Sequence, residues 1–200
     1  MLGLPQERRG KNEYTRNNDN GQRGQRGPVG RYDQRHQSQP RSARFKFRAE
    51  NQWVNGGHSR TTIKGFYGAG GEDASRTHPF ILEGDEPPLL LGNNAGPNAV
   101  EAVLHALASC LAVGFVYNAA AQGIKVEKLD FTLEGDIDLH GFLGLSDKVR
   151  PGYQNIRLTY RVKSNAPRSK IEALCDYVQK TSPVLDIIRN PVPVAVTLED

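Results

Sequence analysis

Arg44-Phe45-Lys46-Phe47-Arg48-Ala49 alternates charged and apolar residues, the period-two pattern of a strand with one buried face. Asn55-Gly56-Gly57 then predicts a tight turn, with Arg60-Thr61-Thr62-Ile63-Lys64 as the returning strand of a hairpin. Gly68-Ala69-Gly70-Gly71 reads as a loose loop. No Gly-Lys-Ser/Thr follows it and no strand-to-helix setting surrounds it, which argues against a phosphate cradle. His78–Leu82 predicts another short strand, ended by Asp85-Glu86-Pro87-Pro88. Further on, Ile124, Val126, Leu129, Phe131 and Leu133 mark a long strand over residues 124–135, with one slip in the alternation near Lys128-Leu129. Ile156–Val162 and Val192–Leu198 predict two more strands.

Between these runs the period changes. Asn98 is a favoured N-cap, Glu101 three residues on completes a capping-box pattern, and Gly123 stands where a left-handed glycine ends a helix. Roughly 24 residues at 1.5 Å each give a helix of about 36 Å. It is apolar on all sides, so it is expected to run through a core or a subunit interface. Residues 102–121 hold no charge when His105 is neutral, which meets the length of a bilayer span. The alanine content, the polar Ser109 and Asn118 and the lack of basic flanks favour a buried helix of a soluble protein instead. Pro167 starts a helix through about Lys180, with Ile171, Leu174, Cys175 and Val178 on one side, and Ser182-Pro183 starts a short second one. This order of elements is that of an α+β fold.

Charge divides the chain. Lys and Arg number 26 against 22 Asp and Glu, but residues 1–42 hold nine basic and four acidic residues, so residues 43–200 carry a net −1. Residues 1–42 are rich in Arg, Gly, Gln and Asn and cannot bury enough apolar surface to offset their ordering entropy. They are read as a disordered basic tail, and residues 43–200 as one folded domain. The arginines of Gly21–Gly27 would give weak, salt-sensitive contact with nucleic acid, without the aromatics that stack on bases. Cys110 and Cys175 are too few and too distant for a disulfide framework or a Cys–His zinc pattern, and Met1–Pro5 is no secretory segment; a cytoplasmic location is expected. Asp136–His140 is explained by a turn, and no metal or cofactor is expected.

Candidate chemistry centres on Cys110. Its side of the helix carries Val103, Ala106, Leu107, Val113, Gly114 and Tyr117, surroundings that disfavour a thiolate. Residue types alone leave two readings, an inert core thiol or a nucleophile activated by a nearby cation. His105 lies about 140° away round the helix, so a direct Cys–His pair is not expected.

Gly92-Asn93-Asn94-Ala95-Gly96-Pro97-Asn98, the helix ending in Ala108-Ser109-Cys110, Gly135–Leu139, Arg150-Pro151-Gly152-Tyr153 and Thr181-Ser182-Pro183-Val184 together resemble the OsmC/Ohr superfamily of osmotically inducible and organic hydroperoxide resistance proteins. The resemblance spans about residues 43–198. It implies the OsmC-like fold, with antiparallel sheets packed around a long central helix, and an intertwined homodimer. It also implies thiol-dependent reduction of organic hydroperoxides or hydrogen peroxide, with an external dithiol as reductant.

On that pattern Cys110 matches the peroxidatic cysteine. The thiolate-holding arginine falls in the early sheet region, where Arg60 is chosen over Arg76. The glutamate that orients the arginine falls on Val100, one residue before Glu101, an offset of about 100° round the helix. Glu101 is therefore either an orienter or only a helix cap. The second cysteine's place, immediately before Pro-Val, is occupied by Ser182, which leaves Cys175, seven residues earlier, as either a resolving thiol or core. A non-catalytic binding module on the same fold, with a hydrophobic pocket at the dimer interface, is the competing expectation.

Overall fold

The computed structural model describes residues 43–199; the basic tail expected over residues 1–42 lies outside the described residues. Six short strands come first: β1 (Lys46–Phe47), β2 (Glu50–Asn55), β3 (His58–Ile63), β4 (Phe66–Gly68), β5 (Gly71–Glu72) and β6 (Phe80–Gly84). They form two antiparallel sheets, β2-β3-β6 and β1-β4-β5. The long helix α1 (Ala99–Ala121) follows, then β7 (Val126–Asp136), a one-turn α2 (Leu139–Phe142), β8 (Asn155–Ser164), α3 (Arg168–Thr181) and α4 (Pro183–Arg189). β7 and β8 pair antiparallel, with the register slip between Val126 and Lys128, beside where the alternation falters.

Three expectations change. The turn at Gly56-Gly57 forms, but the strand entering it is Glu50–Asn55; of the 44–49 run only Lys46–Phe47 is strand, and it pairs with β4. A two-residue turn fixes register, so the residues paired with β3 are those immediately before Gly56. Gly68-Ala69-Gly70-Gly71 is not loose: Gly68 pairs with Gly71 across Ala69 (φ 54°) and Gly70 (φ 93°), the two positive angles a tight hairpin turn requires. Val192–Leu198 forms no strand among the described residues, and Val194, Val196 and Leu198 are exposed. An alternating segment becomes a strand only beside a partner edge, and it has none among the described residues.

The core forms around one side of α1. Leu107, Leu111, Phe115 and Ala119, spaced by four, are buried with Leu174 and Val178 of α3, Leu185 of α4 and Ile124. From the β7–β8 sheet come Phe131 and Tyr160, the Tyr160 ring lying 4.8 Å from Phe131 and 6.1 Å from Phe115 between centroids. Full burial of each large side chain contributes about 1.5–3 kcal/mol, so this stripe dominates the domain's stability. Val103, Val113 and Tyr117 of α1 are exposed. No strand of the β1–β6 module lies in extended contact with α1, β7, β8, α3 or α4.

The segment between β6 and α1 is built on Asp85, which is 3% exposed. Its carboxylate accepts from the backbone N–H groups of Glu86 (2.8 Å), Asn93 (2.9 Å) and Ala95 (3.0 Å). These bonds, Ala95 first, hold its carboxyl below the usual carboxylate range. The chain folds so tightly round it that a Cβ on Gly92 would sit 1.8 Å from the Glu86 carbonyl oxygen, and one on Gly96 2.1 Å from that of Glu83. This explains the glycines of the 92–98 motif: they permit close backbone approach and deliver Asn98 to the helix start.

Candidate active site

Asn98 caps α1 as expected. Its side chain accepts from Glu101 N at 2.8 Å, and the Glu101 carboxylate accepts from Asn98 N at 2.9 Å. Tyr153 braces the same turn by donating to the Val100 carbonyl at 2.8 Å. A side chain on Gly135 would meet the Tyr153 ring at 2.4 Å, so the separated motifs around Gly135 and Tyr153 belong to one packing contact. Burial, and then the neighbouring Glu101 charge, push the Tyr153 hydroxyl's pKa up.

Cys110 lies nine residues, roughly 13 Å, further along α1. It is a free, partly buried thiol. Its Sγ is 3.2 Å from Ser182 Oγ. Ser182 stands between α3 and α4, is 5% exposed, and accepts from Leu185 N at 3.2 Å as the cap of α4. The residue that displaces the expected second cysteine is thus the polar partner of Cys110. Sequence reasoning found Ser182 as a cap and as a lost cysteine, but not as this contact, which depends on how α3 lies against α1.

That packing also locates Cys175. A Cβ on Gly114 would stand 3.1 Å from Val178, while Cys110 meets Ser182, so four residues forward along α1 match four residues back along α3. The helices therefore run antiparallel, and Cys175 lies level with residue 117, about 10 Å from Cys110 along the axis. Cys175 packs against the core, where burial pushes its thiol's pKa up.

The other sequence candidates sit elsewhere. Arg60 Nε donates to Glu83 at 2.8 Å, and His58 Nε2 lies 2.8 Å from the other oxygen of the same carboxylate. Hydrogen bonding, to His58 first and then Arg60, holds the Glu83 carboxyl below its usual range. Arg76 donates to the Lys64 carbonyl and lies over Phe66 and Phe80, 4.9 and 5.3 Å from the ring centroids. His105 is 3.5 Å from Ser109, not paired with Cys110. Asp138 accepts from His140 N at 3.0 Å and lies 2.6 Å from its Nδ1, the local turn expected of that stretch. The structure brings together Cys110 and Ser182; it does not bring Arg60, Glu101 or Cys175 to the thiol within one chain.

A cleft of about 580 Å³ opens beside this centre, lined by Leu107, Leu111, Leu158, Tyr160, Leu185 and Arg189 among others. The Tyr160 hydroxyl is buried there without a hydrogen-bond partner among the described residues, and burial pushes its pKa up to about 12.

Comparison with known proteins matches residues 92–197 to the family OsmC-like protein. No curated protein matches the sequence. Among solved structures, an OsmC-like protein from Mycoplasma pneumoniae is similar at a TM-score of 0.57 and 18% identity, over 73% of this chain and 89% of that one. A protein from Psychrobacter arcticus aligns at 0.53 and 12%, over 72% and 88%. An organic hydroperoxide resistance protein OsmC from Legionella pneumophila aligns at 0.50 and 17%, over 72% and 89%. At these identities the structural likeness speaks for the fold, and the family match covers more than half of the sequence: the chain belongs to the OsmC-like protein family.

Proposed function

We propose that this chain is a thiol-dependent hydroperoxide reductase that works as a homodimer, with Cys110 as its nucleophile. The observation that carries the reading is a partly buried thiol on the family's long helix with a buried hydroxyl 3.2 Å from its sulfur. A thiolate in that position attacks the O–O bond. The hydroperoxide resistance protein among the structural neighbours makes this substrate class the natural one to test.

Arg60 is the thiolate-stabilising cation in this reading, delivered across the dimer. The β1–β6 module, with Trp53, Phe80, Ile81 and Leu82 exposed, lies over the partner's α1, whose exposed Val103, Val113 and Tyr117 it covers. Arg60 then exchanges Glu83 for the partner's Cys110. Glu101 acts chiefly as the helix cap. No cofactor takes part, and the setting is cytoplasmic, where thiols stay reduced.

The competing reading, a binding module without turnover, is favoured by the cleft, which holds an orphaned hydroxyl and does not include Cys110 among its lining residues. The two separate on one measurement: loss of an alkyl hydroperoxide in the presence of excess thiol. Turnover is expected with the unmutated protein and lost in Cys110→Ser. It should fall at least tenfold in Arg60→Ala. An unmutated protein that consumes no hydroperoxide sinks the enzyme reading.

A further inference from the structure

We infer that Ser182 is the positioning hydroxyl of a one-thiol centre: it donates its hydrogen to the Cys110 thiolate, and the oxidised sulfur is cleared by an external monothiol rather than by Cys175. This rests on Cys110 being the reactive thiol.

A serine hydroxyl carries one hydrogen and two lone pairs. Leu185 N–H takes one lone pair, which fixes Ser182 Oγ at the start of α4 and leaves its hydrogen for Cys110 Sγ at 3.2 Å. A thiolate has no hydrogen to give, so once Cys110 is ionised only Ser182 can donate. The bond is charge-assisted, and the 5% exposure of Ser182 keeps water from replacing it. A cysteine here would resolve the oxidised sulfur; a serine holds it. Cys175 cannot take over, because the antiparallel packing sets it about 10 Å along the axis, whereas a disulfide needs Cα atoms within about 7 Å. Burial, which keeps Cys175 protonated, makes it a poor attacking thiol as well.

The chemistry balances without a second protein cysteine. The Cys110 sulfur attacks the hydroperoxide: an S–O bond forms, the O–O bond breaks, and the alkoxide leaves as alcohol with a proton. Sulfur is oxidised and peroxide reduced by two electrons. An external monothiol then attacks the sulfenic sulfur, forming an S–S bond and releasing water. A second monothiol breaks that bond, leaving an external disulfide and the Cys110 thiol.

The test uses the full chain in a Cys175→Ser background, so that one thiol is read. Ser182→Ala should slow iodoacetamide alkylation of Cys110 at neutral pH about tenfold, the size of one charge-assisted hydrogen bond. Ser182→Asp keeps the cap acceptor but has no hydrogen to donate, and should slow it further while far-UV circular dichroism stays unchanged. Ser182→Thr, which keeps both functions, should alkylate at the parent rate. Alkylation at the parent rate in Ser182→Ala overturns the role of Ser182. For the second half, free sulfenic acid, assayed by adding dimedone at intervals after one equivalent of alkyl hydroperoxide, should persist equally with Cys175 and with Cys175→Ser, and should yield no adduct when monothiol is added before the dimedone. Loss without monothiol only when Cys175 is present overturns it. Failure of the hydroperoxide reading would show instead as no dimedone adduct alongside alkylation still governed by Ser182.

Discussion

Ser182→Cys should convert the Cys110 centre into a disulfide. Sγ of Cys110 and Oγ of Ser182 are already 3.2 Å apart, and an S–S bond of about 2.05 Å requires a closure of about 1.2 Å, part of it supplied by the longer C–S bond. The residues are 72 apart in sequence, so loop closure in the unfolded chain is worth about 4 kcal/mol. The lost serine cap on Leu185 N costs about 1 kcal/mol, leaving about 3 kcal/mol. In a domain of this size that raises Tm by roughly 6–12 °C. The measurement is thermal unfolding of Ser182→Cys in the Cys175→Ser background, oxidised with one equivalent of hydroperoxide, with and without reductant, alongside a free-thiol count. Two thiols that stay free after oxidation would refute the Cys110–Ser182 contact, and with it the antiparallel register that sets Cys175 apart. A disulfide between two chains would show Cys110 facing the partner's residue 182 instead.

Asp85→Asn keeps one acceptor but loses the charge that three backbone N–H groups hold. Because the folded carboxyl titrates low, its stabilisation is complete above the usual range and is lost as pH falls through the folded value. The Tm gap between parent and variant, measured across pH, should be open at pH 7 and shrink below about pH 4. Gly92→Ala drives a Cβ into the Glu86 carbonyl oxygen and should cost about 3 kcal/mol or more in denaturant unfolding. Gly65→Ala, with nothing within 4 Å of its Cβ, should stay within about 0.5 kcal/mol. Tyr160→Phe removes a buried hydroxyl that has no partner among the described residues and should stabilise by about 1 kcal/mol, read as a higher Tm.

Local patterns in the sequence foretold local structure well. The capping box at Asn98 and Glu101, the left-handed Gly123 and the slip near Lys128 each depend on neighbours a few residues away, and each is where the pattern puts it. Long-range pairing was less legible. Nothing in Arg44–Ala49 says that Lys46–Phe47 pairs with Phe66 and Tyr67 while Glu50–Asn55 takes the hairpin, because both runs can fit a sheet and only the turn chooses. Val192–Leu198 has the period of a strand, but period does not supply a partner edge. At the candidate site the residue types were visible and their meeting was not. The Cys110–Ser182 contact is set by Gly114 admitting Val178, a fit between helices that are distant in sequence. The buried Asp85 had a cue, an acidic residue opening a loop rich in Gly and Asn, but the three N–H groups it gathers come from the loop's own closure.

Within one chain, the separation of the β1–β6 module from the α1 core lets the strands open locally without unfolding the core. The β3–β6 ladder can open without exposing Phe115 or Leu174, whereas unfolding α1 dismantles most of the buried set at once. Amide exchange should therefore show two tiers of protection, with the strands exchanging by local opening and the middle of α1 only by global unfolding. Between the tiers lies the Asp85 cage, the short covalent bridge through which disorder in one tier would reach the start of the other.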